Sequence, residues 1–85
     1  MPAKPHYVWA VSDPTPVLLN EFISSNSALW PQWDWRGLVE AGLQARKRLD
    51  PIEDAIERIR IEFNFPANSH ILVSAWIGAG LITRA

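Results

Sequence analysis

Five tryptophans in 85 residues, three of them within Trp30-Pro31-Gln32-Trp33-Asp34-Trp35, constrain this chain more than any other feature. A domain this small has few interior positions large enough for an indole, and each indole brings an N–H that needs an acceptor once buried. Either the core is built around tryptophan, or part of this aromatic surface is kept for another molecule. Three indoles across an extended-to-helix junction cannot all face one way. Trp35 is therefore expected inside, with Trp30 or Trp33 at the surface.

The other means of stabilising a small domain are few. There are no cysteines, so neither a disulfide nor a thiolate metal site supplements the core. Dense packing or self-association must take their place, and a homo-oligomer is expected. A hydrophobic fraction of 48% with 20% charged residues is a globular balance, and one domain over residues 1–85 accounts for it, with residues 1–6 expected to be flexible. The formal charge of −1 provides no global field to draw in nucleic acid or an anionic surface. Met1-Pro2-Ala3-Lys4-Pro5 has no apolar signal-peptide core, and the run Ile71–Ile82 is broken by Ser74, Gly78 and Gly80. A cytoplasmic protein with no membrane association is the expectation.

Prolines divide the chain into segments. Tyr7–Val11 is β-branched and aromatic, which predicts a short strand or an extended arm. Thr15-Pro16 reads as an N-cap and first helical residue, opening a helix over about 16–24 with Leu18, Leu19, Phe22 and Ile23 on one face. The polar run Ser24-Ser25-Asn26-Ser27 is expected to end it. Asp34 caps a second helix to about Arg48, with Trp35, Leu38, Val39 and Gly42 in its buried stripe. Gly37 and Gly42 each cost about 1 kcal/mol of helix propensity, which a closely packed helix or indole would offset. Asp50-Pro51 predicts a third helix with Ile52, Ala55, Ile56, Ile59 and Phe63 inward, an Asp54–Arg58 pair outside, and Pro66 as its stop. Ile61 departs from that stripe, either widening it or meeting an interface. The short Leu49-Asp50 link makes the second and third helices an antiparallel hairpin over about 34–65.

The last segment has two readings. Ser69 as cap, Ile71–Ile77 as an apolar run and Gly80 past its end describe a buried helix, with Leu81 closing over Trp76. The same residues could form a β-hairpin, His70–Ile77 turning at Gly78-Ala79-Gly80 into Leu81–Arg84. The helix is favoured because its predecessors are helical and short sheets need partners. The fold class is accordingly mainly α, a small domain around a helical hairpin. An α+β arrangement with a C-terminal β-hairpin is the alternative.

Recognisable chemistry is sparse. His6 and His70 lack neighbouring ligands, and Asp50, Glu53, Asp54 and Glu57 spread over a solvated helix face or serve as a cap, so no metal or cofactor is expected. The adjacent Ser69 and His70 do not amount to a nucleophile and its base, and Gly78-Ala79-Gly80 lacks the Lys and context of a phosphate loop. Removal of Met1 would give Pro2 a secondary amine of the kind tautomerases use as a base, but their first strand starts at that proline and Pro5 interrupts here. Val73–Ile82 is similar in apolar pattern to the recognition-helix end of excisionase-like winged helices. It lacks their basic residues and wing, so the likeness assigns no family.

The expectation is thus a non-enzymatic protein-interaction module, whose size and aromatic excess resemble small accessory or inhibitory proteins, including those of phages and mobile elements. Tyr7, Trp9, Trp30 and Trp33 are the candidate anchors, because tryptophan is enriched among interface hot spots. The alternative is a small nucleic-acid-binding regulator using Arg46, Lys47, Arg48, Arg58 and Arg60, with indoles stacking on unpaired bases. Residues 34–62 hold six basic and seven acidic side chains, so that face offers no net attraction to a polyanion.

Overall fold

A computed structural model of the chain describes residues 6–66 and 70–85. Residues 1–5 of the terminus expected to be flexible, Pro2 among them, lie outside the described residues, as does Ser69, the expected cap. The elements run β1 (Tyr7–Trp9), α1 (Pro16–Leu29), α2 (Trp35–Lys47), α3 (Ile52–Glu62), α4 (Ile71–Gly78) and β2 (Ile82–Arg84). This is a mainly helical domain whose ends meet in one two-stranded sheet.

That sheet corrects both readings of the C-terminus in part. The apolar run is a helix, as favoured, yet a strand follows it and pairs with the opposite end of the chain. β2 lies antiparallel to β1 with Tyr7 opposite Arg84, Val8 opposite Thr83 and Trp9 opposite Ile82. The ladder continues at both ends, Ala10 N–H donating to Leu81 O at 2.9 Å and Ala85 N–H to His6 O at 3.0 Å. His6, placed in the flexible terminus from sequence, is therefore tied to the last residue.

Two N-caps form as the residue types require. Thr15 Oγ1 accepts from Leu18 N at 3.1 Å, and Asp34 Oδ1 accepts from Gly37 N at 3.0 Å. The helix ends depart further from expectation. α1 does not stop in its polar run but continues to Leu29, with Ile23 in the core and Phe22 packed against it; Asn26 Nδ2 donates to Phe22 O, one turn back, at 2.8 Å. α3 is capped by Pro51 without a side-chain bond, since Asp50 is occupied by arginines. It also ends before Pro66, with Phe63 as C-cap and Asn64 at φ 60°. Arg58 reaches eight residues back to Asp50, past Asp54 one turn before it.

α2, α3 and α4 share one termination. In each, a residue of positive φ follows the C-cap: Leu49 at 56°, Asn64 at 60° and Gly80 at 80°. The next N–H reaches back to an orphan carbonyl, Asp50 to Ala45, Phe65 to Arg60 and Leu81 to Trp76. These are Schellman caps, and the third sets the fully buried Leu81 beyond Trp76 as its spacing implied.

The core joins the inner face of every helix. Ile23 comes from α1, Trp35, Leu38, Val39 and Ala45 from α2, Ile52, Ala55 and Ile59 from α3, and Leu72, Ala75 and Trp76 from α4, with Phe65, Ala79, Leu81 and Ile82 closing it. Trp76 is fully enclosed at the centre. Ile61 stands exposed on the outer side of α3.

Candidate functional site

The five indoles divide into three whose N–H is bonded within the fold and two whose N–H is not. Trp9 Nε1 donates to Asp50 O at 2.9 Å, Trp35 Nε1 to Trp30 O at 2.8 Å and Trp76 Nε1 to Leu38 O at 3.2 Å. Each of these bonds satisfies a donor that partial or full burial would otherwise strand. Among the described residues, neither Trp30 nor Trp33 has an acceptor for its indole N–H. Trp35 is buried, Trp33 half-buried, and Trp30 is 49% exposed.

These two rings stand at a cleft between the second half of α1, the 30–34 turn and the start of α4. It encloses about 410 Å³ and is lined by Phe22, Trp30, Trp33, Trp35, Ile71 and Ala75, with Asn26, His70 and Ser74 supplying its polar groups. Its rings form a connected set. Trp33 lies 6.2 Å from Trp30, 6.0 Å from Trp35 at an edge-to-face 87°, and 5.1 Å from Phe65, while Phe22 meets Trp35 edge-on at 6.3 Å. Such spacings are those of attractive aromatic pairs, so the cleft wall is preformed. No Asp, Glu, Lys or Arg lines it.

Tyr7 and Trp9 are not part of this cleft. Both are half-buried on β1, beside a separate shallow groove with Asp50, Pro51, Ile52 and Glu53. Trp9 packs 5.8 Å from Trp76 in addition to its bond to Asp50, so its placement is already accounted for by the fold.

The cation cluster is largely engaged. Arg46 donates to Ala10 O at 2.8 Å and pairs with Asp13, tying the segment after β1 to α2. Arg48 and Arg58 converge on Asp50, at 2.8 and 3.3 Å. Arg60 pairs with Glu57 at 2.6 Å and donates to Phe65 O. Lys47 alone of the five has no acceptor among the described residues. The Arg48 hydrogen bond holds the Asp50 carboxyl below its ordinary value; desolvation opposes it, and Arg58 lowers the carboxyl further. Glu57 is lowered by its bond to Arg60, which is raised in turn.

Among the described residues no group of three or more His, Cys, Asp or Glu is placed to hold a metal ion, and no helix is long and apolar enough to cross a membrane. Sequence reasoning found Trp30 and Trp33 but missed Phe22, His70 and Ile71 as their companions. Nothing local in the sequence marks α1 and α4 as neighbours across that opening. No protein-family model, characterised protein or solved structure matches this chain.

Proposed function

We propose that this protein is a non-enzymatic interaction module, an accessory or inhibitory protein in kind, that captures an uncharged apolar or aromatic side chain of a protein partner in the Trp30–Trp33 cleft. The observation that carries the reading is the state of those two indoles. They border a preformed aromatic cleft with their N–H groups uncommitted, while the other three are bonded to backbone carbonyls. A peptide segment supplies both things the cleft lacks, an apolar group to fill it and carbonyls to accept from indole N–H. With no Asp, Glu, Lys or Arg in its lining the cleft favours a neutral anchor, because a charged one would lose hydration without a carboxylate, ammonium or guanidinium to pair with.

The test is comparative. A partner recovered from the native cell should bind the wild type and lose at least tenfold in affinity to Trp30→Ala, while the variant's melting temperature stays close to the parent's. Unchanged affinity for Trp30→Ala and for Trp33→Ala would remove the cleft from the interface. The nucleic-acid alternative has less to work with, since four of its five cations already hold protein acceptors.

A further inference from the structure

Peptides are recognised in a few backbone conformations, and the Trp30–Trp33 cleft discriminates among them. A β-strand is captured along a free strand edge, but among the described residues none from β1 or β2 lines the cleft. Its walls are side chains of α1, the 30–34 turn and α4. An α-helix brings apolar side chains but few acceptors, because its carbonyls are engaged within it apart from the last turn. It would cover the indole N–H groups of Trp30 and Trp33 and leave them without a bond, at the cost of stranding two donors. A polyproline II segment has the reverse balance. It makes no internal hydrogen bonds, so its carbonyls are free to accept, and its prolines have no N–H to strand against a ring face.

We propose that the occupant of the cleft is a neutral, proline-rich segment of the partner in the polyproline II conformation, an inference that rests on the cleft being the docking site. Charge complementarity supports it at two places. The N–H edges of Trp30 and Trp33 carry partial positive charge and meet the segment's carbonyl oxygens. The ring faces are the negative side of the aromatic quadrupole, and they meet the pyrrolidine C–H groups that the amide nitrogen polarises positive. Asn26, His70 and Ser74 can each donate as well as accept, so they suit the same acceptor-rich chain. Order before binding favours this occupant too. Trp33 is already packed against Trp30, Trp35 and Phe65 at 6.2, 6.0 and 5.1 Å, and Trp35 is tied to Trp30 O. A polyproline II segment is likewise shaped in advance, so neither side loses much conformational freedom. That matters for a contact confined to a cleft of about 410 Å³.

Proton–nitrogen correlation spectra of the full chain, which separate the five indole N–H signals, test it. The probes are neutral, end-capped peptides: an oligoproline of about nine residues, roughly three polyproline II turns, a Gly-Ser peptide of the same length, and a longer helix-forming peptide of Ala, Leu and Gln. Oligoproline should move the Trp30 and Trp33 signals saturably and leave those of Trp9 and Trp76 in place, and the other two peptides should bind at least tenfold more weakly. Trp30→Phe keeps a ring and deletes the N–H, and should weaken oligoproline binding by about three- to tenfold. Oligoproline that leaves both signals unmoved at millimolar concentration would overturn the proposal. So would equal affinity for the Gly-Ser peptide, or unchanged oligoproline affinity in both Trp30→Phe and Trp33→Phe. Tighter binding of the helical peptide, read at the same two signals, would overturn the proline-rich occupant and keep the cleft as the docking site. The cleft itself fails separately, through unchanged affinity of the natural partner for Trp30→Ala and Trp33→Ala.

Discussion

Trp76 donates its indole N–H to Leu38 O across 38 residues of sequence, and neither side chain retains any exposed surface. The bond pins α4 to the first turn of α2, one turn before the place where a glycine, Gly42, lets the Trp76 ring come close. A Cβ on Gly42 would lie 2.8 Å from the Trp76 ring and 2.7 Å from Leu81 Cδ1, closer than carbon atoms approach. The glycine's cost in helix propensity is therefore offset by the indole that fills the space.

Gly42→Ala tests that balance. Alanine gains about 1 kcal/mol in helix propensity, but forcing a methyl against a fully buried indole costs about 1–3 kcal/mol. The net expectation is a loss of about 1 kcal/mol, or a melting temperature lower by about 4–8 °C in a domain this size. Calorimetry decides it, and an equal or higher melting temperature would show that the contact is looser than described.

Leu49 offers the opposite case. Its φ of 56° is the conformation a Schellman cap wants from glycine, and its side chain is 76% exposed, so little packing compensates the strain. Left-handed backbone costs a non-glycine residue about 1–2 kcal/mol, and glycine returns part of that gain through its freer unfolded chain. Leu49→Gly is expected to stabilise by about 0.5–1 kcal/mol, read as a rise in the urea midpoint with an unchanged slope. A fall in the midpoint would mean that Leu49 makes contacts worth more than its strain.

The tryptophans should sort by their packing. Trp35→Ala removes a buried ring and the bond to Trp30 O, and is expected to cost about 3–5 kcal/mol. Trp33→Ala should fall between the extremes, because its ring packs against Phe65 and Trp35. Trp30→Ala should cost under about 1 kcal/mol, since the acceptor it supplies to Trp35 is backbone and survives the substitution. Denaturation curves of the three variants check the order. A Trp30 variant as unstable as the Trp35 variant would assign that ring to the core and undercut the cleft as a binding site.

What could be read from sequence follows from how local each signal was. The caps at Thr15 and Asp34, the α2 and α3 stripes and the Leu81 closure over Trp76 are set by residues a few positions apart, and they formed as read. The continuation of α1 through Ser24–Ser27 runs against the local preference of four short polar side chains, and the packing of Phe22 and Ile23 on the other helices is not visible in that stretch of sequence. Asp50 was read as a cap because an N1 proline followed it, but two arginines competed for the carboxylate and prevailed. The β1–β2 pairing joins residues nearly the whole chain apart, and three-residue strands carry too short a pattern to declare their partner. The cleft was half legible, its rings from a local motif and its opposite wall only from the tertiary fold.

Acid should weaken the α2–α3 junction through Asp50. Its carboxylate accepts from Arg48 at 2.8 Å and Arg58 at 3.3 Å, and is held below the ordinary aspartate value of 3.8. A carboxyl whose folded value is depressed contributes its stability above the unfolded value and surrenders it as the pH falls through the folded one. The contribution should therefore be intact at neutral pH and decline once the pH drops below about 3.8. Because the two arginines that hold it are exposed, salt should diminish the effect. Asp50→Asn is expected to lower the melting temperature modestly at pH 7 and to flatten its fall between neutral and acid pH, with the two proteins converging at the acid end. Parallel curves for wild type and Asp50→Asn across the whole range would show that the arginines gain nothing from the carboxylate's charge, and that the junction is held by the Leu49 cap and the Trp9 bond to Asp50 O alone.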